Sequence, residues 1–245
     1  MKLLRAFSRA LRATAHVVRG LWTIRTEFGR LTPSQTQFLV REWTRRMLVI
    51  LGVDLVVQGT PPEQGPLLQV ANHVSWLDIL VMNAARPSRF VSKSDARRWP
   101  LLGSLITGAG TLYIERSNRR AAMRMVHHMA ERLESGDILS VFPEGTTGDG
   151  SEMLPFHANL LQAAIAARAP VLPVGLRFED SQRGGPHAAP VYVGDTTLIA
   201  SIWATLSADH LRAVVQYGVP QKDQGRDRRA WANDLRTEVD RLRKL

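Results

Sequence analysis

The sequence contains no cysteine, and this absence excludes several kinds of site. A chain without thiols forms no disulfides, binds no zinc through thiolates and has no cysteine nucleophile. The sequence also lacks the Gly-x-Ser-x-Gly turn that carries the nucleophile of many serine hydrolases. These two absences exclude a cysteine nucleophile and a serine nucleophile carried on such a turn.

Long apolar runs are also scarce. The most conspicuous uncharged stretch, Trp99 to Ile114, is short and rich in glycine and proline, so it does not predict a transmembrane helix. We expect a buried helix followed by a strand, with an apolar surface in contact with lipid as the alternative.

Acidic residues are few at the N-terminal end. Residues 1–52 carry ten Lys or Arg against two Glu, which accounts for +8 of the net charge of +10. A basic end on a nearly neutral body favours a polyanionic surface as partner, either a membrane or a nucleic acid.

Residues 2–25 have the pattern of one amphipathic helix. The basic residues share a stripe: Lys2, Arg5, Arg9, Arg12, His16 and Arg19. The larger apolar residues lie roughly opposite: Leu4, Phe7, Leu11, Val18, Leu21 and Trp22. Such a helix suits the plane of an anionic bilayer. The alternative is a helix packed on the body with its basic face in solvent.

A second helix begins at Thr32, with Pro33 at its first position and Gln35 three residues after the cap. It runs to about Leu51. We therefore predict that residues 1–52 form an amphipathic, membrane-associating helical hairpin and that residues 53–245 form one α/β domain.

From Val53 onward, strand-like and helix-like segments alternate, which predicts a mixed, largely parallel sheet flanked by helices. The predicted strands are Val53 to Gly59, Leu67 to Val70, Arg89 to Val91, Thr111 to Ile114, Ile138 to Phe142, Val171 to Phe178, Val191 to Val193 and Ala213 to Tyr217. The predicted helices are Trp76 to Ala85, Asn118 to Leu133, Ala158 to Ala167, Thr197 to Leu206 and Arg226 to Arg243.

A candidate catalytic pair lies between the second strand and the helix that follows. His73 comes at the strand end, and Ser75 and Asp78 have capping-box spacing. Asp78 in the first helical turn can fold back onto the imidazole, fix its tautomer and stabilise the imidazolium. The alternative is a capping carboxylate beside a hydrogen-bonded strand-end histidine.

A glycine-rich loop, Pro143 to Gly150, follows the predicted strand Ile138 to Phe142. Its backbone N–H groups could receive a phosphate or an oxyanion. An ordinary glycine turn is the alternative.

Together, four segments resemble the ordered motifs of the glycerolipid acyltransferase family, and most closely its bacterial 1-acylglycerol-3-phosphate acyltransferases. They are Asn72 to Asp78, Gly110 to Arg116, Val141 to Thr146 and Ala169 to Val174. The resemblance implies acyl transfer from acyl-CoA or acyl carrier protein to a lysolipid hydroxyl, without a cofactor or metal. If the acceptor is 1-acylglycerol-3-phosphate, the product is phosphatidic acid.

The resemblance also implies roles for single residues. His73, held by Asp78, is the general base that the acceptor hydroxyl needs, and Arg116 is the phosphate clamp. The other substrate-binding candidates are Asn72, Ser75, Lys93, Phe142, Pro143, Glu144, Gly145 and Thr146, with Glu144 organising its loop by hydrogen bonds.

Two departures from the family pattern put the acceptor head group in question. Thr147 and Gly148 stand where the family often has Arg-Ser, and Phe156-His157-Ala158-Asn159 replaces a usual Phe-Lys-x-Gly. Each change removes a cation that could hold a phosphate. The same departures resemble a divergent branch, some of whose members acylate other lysolipids such as lyso-ornithine lipid.

We expect a peripheral or monotopic enzyme on the cytoplasmic face of the cell membrane, with an anionic membrane surface as partner and no nucleic acid. A non-enzymatic basic membrane-binding protein and a thioesterase remain alternatives. A metal site at His73, Asp78 and Glu144 has suitable ligand types, and we do not predict one.

Overall fold

The computed structural model describes residues 2–99, 101–114 and 119–245. Its α-helices are α1 (Lys2–Thr26), α2 (Pro33–Leu51), α3 (Leu77–Ala85), α4 (Leu102–Gly108), α5 (Arg119–Glu134), α6 (Leu161–Ala166), α7 (Leu198–Ser207) and α8 (Arg228–Leu242). Its strands are β1 (Val53–Gln58), β2 (Leu67–Ala71), β3 (Arg89–Lys93), β4 (Leu112–Ile114), β5 (Ile138–Val141), β6 (Val171–Asp180) and β7 (Leu211–Tyr217).

The strands form one mixed sheet in the order β1-β7-β6-β2-β5-β3-β4. Every neighbouring pair is parallel except β6 and β7, which are antiparallel. The predicted fold class, a largely parallel sheet flanked by helices, is confirmed. Strands β2 and β5 lie side by side near the centre of this sheet, so their carboxyl ends meet at one edge.

Both faces of the sheet are covered because the central strands are apolar on both sides. One hydrophobic cluster joins the sheet to α2 and α3, and it includes Leu48, Leu67, Leu77 and Leu172. The other joins it to α5, α6 and α8, with Met129 and Trp231 among its members. Strand β2 is buried along its whole length. The residues that follow β2 therefore start from a rigid position.

Three local predictions need correction. Residues 191–193 form no strand, because the N–H and carbonyl of Tyr192 bond to the Val74 carbonyl and the Thr147 hydroxyl and not to a neighbouring strand. The helix predicted at Ala158 to Ala167 is divided into a 3-10 turn (Ala158–Leu160) and α6.

The helix expected to be buried after Trp99 is α4, and only its Gly103 is buried. One side of α4 packs against α1, where a Cβ on Gly108 would lie 2.6 Å from Ile24. Its other side faces solvent, and the preceding Leu101 is exposed.

The two N-terminal helices are present and pack against the α/β layers. Thr32 caps α2 in a complete capping box with Gln35, and the C-terminal half of α2 enters the core. The boundary between residues 52 and 53 stays a prediction. Among the described residues, no helix has both the length and the apolar character needed to cross a bilayer.

The orientation of α1 differs from the simplest expectation. Small residues such as Ala6 and Gly20 face the body and are buried, whereas Leu4, Phe7 and Leu11 are exposed. Part of the basic stripe also faces the body, since Arg5 pairs with Asp209 and Arg9 donates to the carbonyls of Leu206 and Ala208. The exposed surface of α1 thus combines large apolar side chains with the remaining basic residues, such as Arg12 and Arg19.

Candidate active site

The site lies where two neighbouring parallel strands end. Strand β2 leads into the loop with His73, and β5 leads into Phe142 and the glycine-rich loop. In open α/β sheets, ligands bind outside the carboxyl ends of strands. The sheet order therefore unites two motifs that are about 70 residues apart in the sequence, a separation that local patterns cannot bridge.

His73 and Asp78 form a direct pair. The Nδ1 atom of His73 lies 2.7 Å from Oδ2 of Asp78. The Asp78 carboxylate is fully buried, while the His73 side chain is 19% exposed. Because Asp78 engages Nδ1, the other ring nitrogen, Nε2, is the one that can exchange a proton with a substrate.

The Asp78 carboxylate is held by the loop that it orients. Its Oδ2 also accepts hydrogen bonds from the N–H groups of Val74 at 2.7 Å and Ser75 at 2.9 Å. The Ser75 hydroxyl accepts from the N–H of Leu77, one residue earlier than the capping box predicts. Asp78 thus does more than either of the roles that the sequence left as alternatives, since it both holds the turn that leads into α3 and contacts the imidazole.

An aromatic stack supports the imidazole from one side. The rings of His73 and Phe142 are 4.0 Å apart at an interplanar angle of 6°, and Phe90 stacks on Phe142 at 5.7 Å. With Asp78 on one ring nitrogen and Phe142 on one face, the orientation of His73 is fixed by two independent contacts.

Glu144 links the two loops through the backbone. One carboxylate oxygen accepts from the N–H of His73 at 2.8 Å, and the other accepts from the N–H of Leu154 at 2.9 Å. Burial raises the pKa of the Glu144 carboxyl, although these two N–H donors oppose the shift. The predicted role of Glu144 in organising its loop agrees with these bonds.

Asn72 also has its polar atoms engaged within the protein. Its side-chain amide donates to the carbonyl of Leu176 at 2.9 Å and accepts from the N–H of the same residue at 2.7 Å. These bonds extend the pairing between β2 and β6 past the end of β2. Asn72 and Ser75, both predicted to bind substrate, are buried and point into the protein.

The remaining predicted residues have different settings. Pro143 is buried and its carbonyl accepts from the N–H of His157, while Gly145 has the positive φ of 75° that favours glycine. Thr146 is exposed beside them. Lys93 is exposed at the end of β3, at the same edge of the sheet as His73. Arg116 lies outside the described residues.

Two further segments complete the site, and the motifs did not indicate either of them. Tyr192 donates its N–H to the carbonyl of Val74, and its own carbonyl accepts from the Thr147 hydroxyl. Thr147 stands at a position where the family often has arginine. Its hydroxyl therefore helps to hold residues 191–193 against the loop that carries His73. Only the apolar character of that segment was visible in the sequence, and it suggested a strand.

The other segment is residues 150–154, which is held by Arg236 on α8 and by Arg243 at the end of that helix. Arg236 donates to the carbonyl of Leu154 at 3.1 Å, and Arg243 donates to the carbonyls of Gly150 and Ser151. Leu154 donates to Glu144, and Glu144 accepts from the N–H of His73. The contact with Arg236 is therefore linked to the loop that carries His73. Nothing in a local pattern signals that a C-terminal arginine has such a partner.

The site carries carboxylates and imidazole without grouping them as metal ligands. Among the described residues, no three His, Asp or Glu side chains are arranged to hold a metal ion. The carboxylates of Asp78 and Glu144 both accept hydrogen bonds from backbone N–H groups.

An apolar cavity of about 490 Å³ lies between α1, α2, α3 and α4. Its walls include Trp43, Ile79, Leu80, Leu105 and Ile106. Helix α3, which supplies Ile79 and Leu80, is the helix that carries Asp78, so the cavity lies on the same element as the candidate catalytic pair.

Comparison with known proteins identifies the family. A family model described as Acyltransferase matches residues 54–177. A lyso-ornithine lipid O-acyltransferase from Pseudomonas aeruginosa is 36% identical and aligns over 83% of this chain and 77% of its own length. A 1-acyl-sn-glycerol-3-phosphate acyltransferase from Neisseria meningitidis is 39% identical over 76% of this chain and 72% of its own length.

The fold has a counterpart among solved structures. The crystal structure of the 1-acyl-sn-glycerophosphate acyltransferase PlsC from Thermotoga maritima superposes with a TM-score of 0.70, covering 100% of this chain and 98% of that one at 20% identity. The resemblance inferred from the four motifs is thereby confirmed, and this protein is a member of the acyltransferase family.

Proposed function

We propose that this protein transfers an acyl group from a thioester donor to the free hydroxyl of a lysolipid, with His73 as the general base. The contact between Nδ1 of His73 and the buried carboxylate of Asp78 carries this proposal. It leaves Nε2 of a partly exposed imidazole as the proton acceptor, in a fixed orientation.

The reaction needs no covalent enzyme intermediate. Nε2 of His73 takes the proton of the acceptor hydroxyl as its oxygen attacks the thioester carbonyl. Asp78 stabilises the imidazolium that results. The tetrahedral intermediate then expels the thiolate, which takes the proton from His73. The acyl donor is acyl-CoA or acyl carrier protein, and the products are the acylated lipid and the free thiol.

The structure supports a positioning role for several residues named from the motifs. Glu144, Asn72 and Ser75 have their polar atoms engaged by the backbone, so they hold the loop that carries His73. Lys93 and Thr146 are exposed at the same edge and remain the candidates for contact with the acceptor. The apolar cavity between α1 and α4 has the chemistry of an alkyl-chain site.

The acceptor we propose first is 1-acylglycerol-3-phosphate, which would give phosphatidic acid. The relative from Neisseria meningitidis has this name. In this assignment Lys93, and Arg116 outside the described residues, supply the positive charge for the phosphate.

Lyso-ornithine lipid is a second candidate, and a specific observation favours it. Thr147 occupies a position where the family often has a cation, and its hydroxyl is bonded to the backbone of Tyr192. The same loop carries exposed carboxylates at Asp149 and Glu152, which suit an acceptor that has an amino group. The relative from Pseudomonas aeruginosa is named for this acceptor.

The exposed apolar face of α1 supports membrane association. Leu4, Phe7, Leu11 and Trp22 are exposed on a helix without acidic residues, which suits an interfacial position on an anionic bilayer. We place the enzyme on the cytoplasmic face, where soluble thioester donors occur, as a peripheral or monotopic protein.

Product analysis tests the proposal directly. The purified protein is incubated with acyl-CoA and a panel of lysolipids that includes 1-acylglycerol-3-phosphate and lyso-ornithine lipid, and products are separated by thin-layer chromatography. We expect a diacylated lipid to form from at least one of them. Thioester cleavage without any acylated lipid would identify a thioesterase, and absence of thioester turnover would leave a membrane-binding protein.

A further inference from the structure

The polarity of helix α7 is inverted relative to a helix packed on a soluble domain. Its buried face carries Ser201 and Thr205 beside Leu206, whereas Ile199 is 81% exposed and the large indole of Trp203 is 37% exposed. The sequence from Thr196 to Ala208 contains no charged residue. An exposed face of this composition gains free energy when an apolar environment covers it.

Helix α1 has the same inversion, and the two helices are fixed to each other. The rings of Phe7 and Trp203 meet edge to face at 5.2 Å. Arg9 donates to the carbonyls of Leu206 at 2.9 Å and Ala208 at 2.7 Å, at the C-terminal end of α7. Arg5 pairs with Asp209 just beyond that end. The exposed apolar side chains of both helices thus adjoin in one surface.

The buried face of α7 also contacts the loop that carries His73. The indole N–H of Trp76, three residues after His73, donates to the hydroxyl of Ser201 on α7 at 3.1 Å. The segment that precedes α7 is tied to the same loop through the bond from Tyr192 to Val74 at 3.2 Å. Helix α7 is therefore fixed directly to the loop that carries His73, so a membrane bound to the outer face of α7 would lie within one helix of that loop.

We propose that α7 is a second membrane-contacting helix, whose Ile199 and Trp203 enter the lipid interface beside Phe7 and present the active site to a lipid acceptor. This inference rests on the proposed function, because it assumes that the acceptor resides in a membrane. It assigns a contact to the catalytic domain itself, in addition to the N-terminal helices.

Charge and side-chain type identify the occupant as lipid. Helix α1 carries six Lys or Arg residues and no Asp or Glu, and the Asp209 carboxylate at the end of α7 is paired with Arg5. An anionic bilayer complements both the apolar patch and these cations. Tryptophan and phenylalanine are also the aromatic residues that apolar faces use at such interfaces.

Fluorescent labelling provides a direct test, because the chain has no cysteine and one introduced thiol is unique. Full-length Ile199→Cys, Phe7→Cys and Val219→Cys are each labelled with a polarity-sensitive fluorophore and mixed with phosphatidylcholine–phosphatidylglycerol vesicles. Val219 is the matched control, since it is 78% exposed and follows β7 at the opposite edge of the sheet from His73. We expect a blue shift at positions 199 and 7 and none at position 219.

A charge substitution measures the contribution of α7. Ile199→Glu should weaken flotation with these vesicles by about tenfold or more, because an apolar contact is lost and a negative charge is placed at an anionic surface. Val219→Glu should float like the unmodified protein. With a short-chain lysolipid below its micellar concentration, Ile199→Glu should retain the turnover of the unmodified enzyme, since the side chain lies outside the catalytic residues.

Each outcome has one meaning. A shift at position 7 without a shift at position 199 would confine membrane contact to α1 and overturn the proposal. A shift at position 199 that follows protein concentration without vesicles would identify a second copy as the occupant. Equal flotation of Ile199→Glu and Val219→Glu would also overturn it. If the unmodified protein acylates no lysolipid yet position 199 still shifts, the proposed function fails and the membrane contact stands.

Discussion

The loop around His73 and the outer faces of α1 and α7 differ from most protein structure in opposite ways. The loop buries polar side chains, and the two helices expose large apolar ones. At the loop, the polar side chains of Asn72, Asp78 and Glu144 are buried, and backbone groups of the protein hydrogen-bond to each of them. On the two helices, large apolar side chains such as Leu11 and Ile199 are exposed.

These two departures have different energetic consequences. A buried polar group that is hydrogen-bonded holds one geometry, because leaving it unpaired costs about 1–3 kcal/mol. An exposed apolar side chain stabilises nothing until a partner covers it. The loop around His73 is thus held in one geometry, as the proposed chemistry requires, and under our proposal lipid covers the exposed helical faces. Changes at the loop should alter turnover, and changes on the helices should alter vesicle binding.

The largest expected effect is at His73. His73→Ala should lower turnover by about 100-fold or more, because the general base is lost. Vesicle binding and the circular dichroism spectrum should stay unchanged. Steady-state assays with a short-chain acceptor measure the loss. Near-normal turnover in the folded variant would remove His73 from the mechanism.

Asp78→Asn should follow with a loss of about 10- to 100-fold, since an amide cannot stabilise an imidazolium as a carboxylate does. The amide can retain one oxygen for the N–H groups of Val74 and Ser75, so the variant should fold. The informative measurement is kcat with a saturating acceptor. An effect restricted to KM would mean that Asp78 acts on binding and not on the proton transfer.

Glu144→Gln should lower turnover by about tenfold through a shifted His73, because one of two acceptor oxygens is replaced by a donor. The N–H of either His73 or Leu154 then lacks its partner. Arg236→Gln, at the far end of the same chain of contacts, is a matched variant that should give a smaller loss. If Glu144→Gln were fully active with an unchanged Tm, the loop would not depend on this carboxylate.

Glu144 should also leave a signature in the pH dependence of stability. Burial raises its pKa in the folded state, so between the ordinary glutamate pKa and the raised value the native protein binds more protons than the unfolded chain. The Glu144 contribution to stability therefore falls as pH rises through that interval. Urea unfolding of the unmodified protein minus Glu144→Gln should show this slope, and a difference that rises with pH would contradict it.

The contact between His73 and Asp78 could be predicted from sequence because its geometry is local. His73 and Asp78 are joined by one strand end and one helical turn, and such spacing needs no knowledge of the rest of the fold. Leu154, Tyr192 and Arg243 could not be predicted, since each of their contacts with the two loops joins distant segments and has a backbone N–H or carbonyl on at least one side. Backbone donors and acceptors are identical in every residue and leave no mark on side-chain type.

The exposed apolar faces of α1 and α7 could be predicted only in part from the sequence. Periodicity located the apolar and basic faces of α1, but it did not determine which face the body would take. Tight packing answered this, because a Cβ on Gly20 would lie 2.5 Å from the Trp43 indole nitrogen. The face of α1 that packs against the rest of the protein therefore carries the small residues and part of the basic stripe. The helix that corresponds to α7 was predicted from the sequence, but the exposure of its large apolar side chains is visible only in the structure.

Leu11→Glu tests the exposed apolar face of α1. Leu11 is 74% exposed at the middle of the outward face of α1. Its replacement should weaken vesicle binding by about tenfold, because one apolar contact with lipid is lost. Turnover of a short-chain soluble acceptor should remain normal. A loss of that turnover would show that α1 acts on the site by a route other than the membrane.

Arg12→Gln should have the smallest effect and separates charge from apolar contact at a neighbouring position. Arg12 is exposed, so its charge can face anionic lipid, whereas the inward Arg9 is bonded to the end of α7. One basic residue near such a surface contributes about 1 kcal/mol, which is about fivefold in vesicle binding at low salt.

This difference should vanish near 1 M salt, where the Debye length is about 3 Å. The effect of Leu11→Glu should largely persist there, because the lost apolar contact is not screened. Arg9→Gln should instead lower the Tm, since two carbonyls at the end of α7 lose their donor. If Arg12→Gln weakened binding as much as Leu11→Glu and both effects vanished with salt, the membrane contact would be electrostatic, and the exposed apolar face would need another partner.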